Sequence, residues 1–488
     1  MSYTHHERLS AVDSGFLALE TTNSHMHIGA VAEFEAAPLA GPDGRLDFAR
    51  IEHAIEVGIH RVPRYRQRLE WVPLLGHPVW VDDPSFNLHY HVRHTCLPPP
   101  GDERQLKRLT GRIFSQQLDR GKPLWEMWVV EGLASGRIAV ITKAHHCMID
   151  GVGSVELTST TMQPTADPDP RFFEPAPRWI PRPAPSPLEL LASELGHRIS
   201  ATAGALGAAA RGALRPRRSL SALSETLEGV ADAVTTGMRP ASPTPLNVDI
   251  GPHRRFDWCE MDLARVREIK SALGGTVNDV VLAIVTGALR RFLRQRGLTV
   301  EGLDFRAMIP VNLRDQADRT VGNRVAMLVA HLPIDARAPR DRLDRVIAET
   351  RALKRSHQSA GMAAIEEIGD ATFTSVFVEF ARATALTRPF NLVVTNVPGP
   401  PFPVYMLGSR MLACHPMVPL FRGQALGIAL FSYDGRLYWG FNADWDAIPD
   451  LHDLVAAVEA ELGHLQDAAG VAHAAPGEMS LASHAPAA

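Results

Sequence analysis

The chain has 488 residues, of which 45% are hydrophobic and 21% charged, with a formal net charge of −4 and a pI near 6.6. This is globular composition at a length that accommodates two or more domains, and its slight acidity gives no reason to expect nucleic-acid binding. Four widely spaced cysteines, Cys96, Cys147, Cys259 and Cys414, form no CxxC pair and read as reduced thiols of a cytoplasmic protein.

The amino terminus is polar and lacks the apolar core of a signal peptide, and no uncharged apolar run approaches the ~20 residues of a membrane span. Residues 1–8 read as a short arm, His27–Phe34 as a first strand and Phe48–Gly58 as a helix. The basic run Arg61–Arg68 reads as a solvated face, with binding of anionic phosphates as the minority alternative. In Asn87–His94, His89 and His91 share one face of an expected strand, a spacing some metal sites use. His94 and Cys96 take the opposite parity and point away from that pair. Asp102–Leu118 reads as an amphipathic helix.

The stretch that organises the chain is Ile138–Leu157, IAVITKAHHCMIDGVGSVEL. Ile138–Lys143 is an apolar, β-branched run of strand length that delivers His145 and His146. Asp150-Gly151 favours a turn, and Val152–Leu157 looks like the start of a helix. If the strand continues through both histidines, they face opposite ways, so one is a candidate general base and the other a support. Asp150 is expected to orient a histidine or to close the turn through an arginine such as Arg314. Cys147 would share the face of His145, but no separate base marks it as a nucleophile.

Residues 164–187 carry nine prolines and read as an extended linker. Beyond them Leu188, Leu191, Leu195, Ile199, Leu206, Ala210 and Leu214 recur at helical spacing, with arginines gathering towards Arg218. Two readings stand: a crossover helix packed on two halves, or a helix lying on an anionic lipid surface. In the second half Phe256–Leu263 reads as a strand, Leu263–Leu273 as a helix, and Thr276–Gly297 as a long apolar helix. Asn278 or Thr276 caps that helix, or Asn278 lies near the active site. Phe305–Pro310, Ala326–Leu332 and Leu392–Val397 read as strands, and Arg340–His357 as a basic helix. Ala425–Phe431 and Arg436–Asn442 read as a hairpin around Asp434-Gly435, followed by a helix over Leu451–Leu465 and a disordered tail from Asp467.

His145, His146, Asp150 and Gly151 fill the pattern HHxxxDG, which resembles the motif of the CoA-dependent acyltransferase superfamily. Pro123-Leu124-Trp125 and Asn278-Asp279 resemble the PLW and ND motifs of the bacterial wax ester synthase/diacylglycerol acyltransferases. Leu9–Val31, Met308–Arg314, Gly322–Met327 and Asn391–Gly408 are similar to that family as well. The resemblance runs from about residue 9 to about residue 465 and implies an α/β fold of two lobes. Each lobe would be a mixed sheet with flanking helices, with a tunnel at their interface. The expected divisions are 1–163, a linker and crossover segment 164–246, 247–466, and a tail 467–488.

The implied reaction is transfer of a long-chain acyl group from acyl-CoA to diacylglycerol or a long-chain alcohol. His146 would be the base, His145 and Asp150 its supports, and Gly151, Pro123, Leu124, Trp125, Asn278 and Asp279 would line the substrates, although core packing accounts equally well for Trp125. Acyl-CoA is then a co-substrate, and neither a resident cofactor nor a metal is implied. A cytoplasmic protein with peripheral contact to the inner membrane or to lipid bodies is expected. The competing readings are acylation of a specialised hydroxylated metabolite, and a catalytically silent protein that coats lipid bodies.

Overall fold

In the computed structural model, which describes residues 5–148, 160–213, 239–312, 325–355 and 374–471, two lobes are built on separate six-stranded sheets. Asp150, Gly151 and Arg314 lie outside the described residues, as does the tail beyond residue 471.

The first half runs β1 (Glu7–Arg8), α1 (Ala11–Leu19), β2 (His27–Glu35), α2 (Phe48–Ile59), β3 (Gln67–Trp71), β4 (Pro78–Asp82), α3 (Leu88–His91), β5 (Val92–Cys96), α4 (Glu103–Phe114), β6 (Trp125–Glu131) and β7 (Arg137–His145). After α5 (Pro187–Ala213) come β8 (Arg254–Asp262), α6 (Leu263–Leu273), α7 (Val277–Gln295), β9 (Arg306–Asn312), β10 (Val325–His331), α8 (Pro339–Arg355) and α9 (Thr374–Thr387). The chain closes with β11 (Leu392–Pro398), β12 (Tyr405–Met406), β13 (Ser409–Met417), β14 (Leu426–Tyr433), β15 (Arg436–Asp444) and α10 (Leu451–Ala469).

The first sheet has the order β12-β13-β2-β7-β6-β5 and the second β10-β9-β11-β14-β15-β8; both are mixed, as expected. A smaller sheet, β1-β4-β3, flanks the first. The second half of the chain completes the first sheet, because β13 pairs antiparallel with β2. Burial alternates strictly along β13, the period-2 pattern of a strand with one covered face. The two sheets abut where Gly440 of β15 meets Pro416 of β13, and an added Cβ there would lie 1.7 Å from the Pro416 oxygen.

The core of the second lobe is α7, whose apolar residues are buried all round, as for a helix covered on every side. Thr276 caps it and Asp279 completes the capping box. Helices α8 and α10 pack against α7.

Several expectations are corrected. Asn87–His94 does not continue as a strand, since Leu88–His91 is a helical turn and β5 begins at Val92. The Arg61–Arg68 run is not a uniformly solvated face: Arg66 is buried and stacks over Phe86 and Trp179, and Arg64 lies over Trp80. The proline-rich segment docks on the first lobe through Phe172, which is buried, and through Arg182, which grips Asp82 with two donors. In α5 the packed face is Leu190, Leu191 and Glu194, with Arg8 and Arg198 holding the Glu194 carboxylate. Leu188, Leu195 and Ile199 instead face solvent. The last helix runs past Leu465 to Ala469, with Gly470 closing it in the left-handed conformation.

Candidate active site

Strand β7 lies between β2 and β6, and its neighbours hold the chain beyond the point where the ladder ends. The His145 N–H donates to the Leu124 carbonyl at 2.9 Å and the His146 N–H to the Met26 carbonyl at 2.8 Å. The strand stops at His145, and His146–Met148 turns as a 3₁₀ segment. The simple alternation expected of a strand running through both histidines therefore does not apply, and Cys147 sits in the turn.

His145 is 1% exposed. Its Nδ1 accepts from the Cys147 N–H at 3.2 Å, which assigns the proton of the neutral ring to Nε2. Burial pushes its pKa down to about 3. His146 is only partly exposed and stacks on Phe16 of α1, with ring centroids 3.8 Å apart at 20°. Burial pushes it down to about 4. Both rings are therefore uncharged at neutral pH, the state in which an imidazole accepts a proton. The Nδ1 of His146 is buried without a hydrogen-bond partner among the described residues, so the exposed part of this residue lies elsewhere. Helix α1 packs on α9 of the second half, which puts this turn near the junction of the lobes.

Behind His145 lies a buried carboxylate that the sequence did not single out. Glu20 Oε2 takes Arg120 at 2.6 and 3.0 Å and Gln117 at 3.1 Å. Its Oε1 faces three imidazole nitrogens: His145 Nε2 and His27 Nε2, each at 3.7 Å, and His25 Nδ1 at 3.8 Å. Among the described residues, Glu20 Oε1, His25 Nδ1 and His145 Nε2 are all buried without a hydrogen-bond partner at these separations. Burial holds His27 well below the ordinary histidine range and lowers His25 too. The strand register sets His27 directly opposite His145.

The other candidate residues divide. Leu124 and Trp125 are core residues at the start of β6: the Trp125 indole N–H donates to the Tyr65 carbonyl at 2.8 Å, and His91 stacks on its ring. Pro123 lines a small polar cavity of about 220 Å³ with Lys143 and Glu126. The structure thus joins the PLW segment to the histidine strand through backbone. Asp279 is buried, bound to Thr276 and accepting the Thr350 hydroxyl at 2.7 Å, so it ties α7 to α8. Asn278 is the second residue of α7 and does not cap it; Thr276 does. Burial raises the Cys147 thiol well above its ordinary pKa, so it remains a neutral thiol.

The histidines once grouped as possible ligands separate. His91 is buried, and its Nδ1 lies 2.7 Å from the Trp125 carbonyl, while His89 pairs with Glu52 and His94 with Glu131. Among the described residues, no group of three or more His, Cys, Asp or Glu side chains is arranged to hold a metal ion. No single helix among them is long and apolar enough to cross a membrane.

Comparison with known proteins meets this site from outside. The family model of the wax ester synthase/diacylglycerol acyltransferase catalytic domain matches residues 9–281, and that of its C-terminal domain residues 321–466. The chain belongs to the wax ester synthase/diacylglycerol acyltransferase family. A putative diacylglycerol O-acyltransferase of Mycobacterium tuberculosis is 32% identical over 91% of this chain and 87% of that protein. A probable diacylglycerol O-acyltransferase of the same species is 30% identical over 94% and 95%. The solved wax ester synthase/diacylglycerol acyltransferase of Marinobacter aquaeolei VT8 superposes with a TM-score of 0.65 at 26% identity, over 95% of this chain and 100% of that one. The first condensation domain of the calcium-dependent antibiotic synthetase, at 16% identity and a TM-score of 0.57 over 96% and 97%, shares the fold.

Proposed function

We propose that this protein transfers a long-chain acyl group from acyl-CoA to the hydroxyl of diacylglycerol, of a long-chain alcohol, or of both, with His146 as general base. The observation that carries this reading is the pair of uncharged imidazoles on a turn pinned by two strands near the lobe junction. The family membership and the names of its relatives supply the substrate class.

In the proposed step His146 removes the acceptor hydroxyl proton as the oxygen attacks the thioester carbonyl. Collapse of the tetrahedral intermediate breaks the C–S bond, and the imidazolium returns the proton to the departing CoA sulfur. The transfer is redox-neutral, forms no covalent bond to the enzyme, and uses acyl-CoA as a co-substrate rather than a resident cofactor. Holding both substrates in line contributes up to about 7–11 kcal/mol in favourable systems, and a positioned base typically about 10²–10⁴-fold. His145 supports the turn through the Cys147 N–H, and Asp150, outside the described residues, is assigned the support of the segment that follows. The oxyanion would be met by the Asn278 amide or by backbone N–H groups near Gly151. Leu124, Trp125 and Asp279 act by position, while Pro123, also buried, lines the small cavity beside them.

Peripheral contact with a lipid surface is the second part of the proposal. It rests on the solvent-facing stripe Leu188, Leu195 and Ile199 of α5, of which Leu188 is 78% and Ile199 71% exposed. Replacing all three by serine is expected to abolish sedimentation with uncharged phosphatidylcholine vesicles, and unchanged sedimentation would remove this contact. For the reaction itself, lipid extracts from protein incubated with palmitoyl-CoA and either diolein or hexadecanol should contain triacylglycerol or wax ester. Extracts with neither product would refute it.

A further inference from the structure

Away from the histidines, α7, α8 and α10 leave a cleft of about 800 Å³ lined by Arg290, Arg291, Arg294, Arg337 and Arg342. Only Glu461 and Asp467 oppose these five arginines in its lining, a local excess of positive charge in a chain of net charge −4. Two of the guanidiniums are built in. Arg342 is buried, donates to the Ala283 and Ala336 carbonyls at 3.2 Å, and pairs with Glu461. This pair passes over Gly287, where a Cβ would collide with both side chains. Arg290 is buried as well, and its Nη1 donates to the Ile334 and Asp335 carbonyls at 2.9 and 3.0 Å. Its Nη2 is buried without a hydrogen-bond partner among the described residues, 3.6 Å from Glu301, which lies at the same distance from Arg337.

Arg291 and Arg294 stand exposed on α7 with no ion-pair or hydrogen-bond partner among the described residues. A cation in the last turn of a helix offsets the helix dipole, which accounts for Arg294 but not for the others. Guanidinium forks match phosphate oxygens two at a time, and Arg291 and Arg294 present theirs unengaged by the described residues, while the locked Arg290 and Arg342 add fixed positive charge beneath them.

We propose that this cleft binds a phosphate-bearing anion, either a free polyphosphate or the headgroup of an anionic phospholipid. None of its residues belongs to the histidine turn, so the site is independent of the acyl-transfer reading.

The test is calorimetric titration of the full chain with inorganic pyrophosphate, beside sedimentation with phosphatidylcholine vesicles that contain or lack phosphatidylglycerol. The variants are R291Q/R294Q, whose side chains are exposed and separable from folding, and R267Q on α6 as a control. Saturable pyrophosphate binding, weakened about tenfold or more in R291Q/R294Q and unchanged in R267Q, is expected. If a headgroup is the source, vesicles containing phosphatidylglycerol bind through the same arginines and pyrophosphate releases them. If a free anion is the source, pyrophosphate binds and the vesicles do not depend on Arg291 and Arg294. Absence of binding by both probes, or binding that R291Q/R294Q leaves unchanged, would overturn the proposal.

Discussion

An imidazole stacked on a phenyl ring, with one nitrogen shielded from water, holds a proton poorly, and it is available as an acceptor over a wide pH range. For His146 burial sets the pKa near 4, well under the 6.5 of a free histidine. The free enzyme should therefore keep kcat/KM nearly constant from neutrality down to about pH 5, with its acid limb near 4. A limb centred on 6.5 would show that another group carries the proton. His146→Ala should lower kcat by about 10²–10⁴-fold with little change in thermal stability, since the ring is partly exposed. His145 is different in kind. Its ring is buried and braces the Cys147 N–H, so His145→Ala should reduce the melting temperature as well as turnover, and a fully stable His145→Ala protein would contradict that supporting role.

At the scale of elements, the site depends on what sits beneath β7. Lys143 is buried there, donating to the Ile113 and Gln116 carbonyls at 2.8 and 2.9 Å and paired with Glu126. Lys143→Met leaves the buried Glu126 carboxylate with Arg93, 3.5 Å away, as its remaining cation among the described residues, a change expected to cost about 1–3 kcal/mol and to be read by denaturant unfolding. The seam between the sheets is equally intolerant, because Gly440→Ala forces a methyl into the Pro416 carbonyl; soluble expression at wild-type yield would contradict this packing. Strands β2, β7, β14 and β15 were legible because their apolar runs have strand length and their turns carry recognisable chemistry, with Asp434-Gly435 both at positive φ. Strand β13 was not, since its pairing with β2 joins residues nearly four hundred positions apart and nothing local marks it. The stripe on α5 was legible as a helix, but whether it packs on the protein or meets a lipid surface was not, because helical spacing fixes which residues share a face and not which face is covered.

At the scale of the molecule, buried and half-buried histidines set the response to acid. Burial depresses His27, His77, His145, His146 and His415, with values near 3 for His145 and His415 and near 4 for His77 and His146. Each is neutral when folded and regains its ordinary value of 6.5 on unfolding, so the unfolded chain binds more protons across that interval. Their contribution to stability is complete above about pH 6.5 and is lost as pH falls towards 4. The melting temperature should accordingly drop steeply between pH 6.5 and 4, and a flat profile there would contradict the burial of these rings.

Much of the site was present in the sequence as motif: His145, His146 and the PLW segment do meet, through the backbone of β6 and β7. Glu20 and Arg120 were silent because their meeting with His145 is made only by the tertiary packing of α1 against the histidine turn. The proposed role of His146 in acyl transfer to a lipid hydroxyl is decided by following thiol release from a long-chain acyl-CoA with diacylglycerol, with hexadecanol and with no acceptor, for the native chain and for His146→Ala. Acceptor-dependent release that disappears in His146→Ala is the predicted result. Release that ignores the acceptor, or that survives the loss of His146 undiminished, would contradict it.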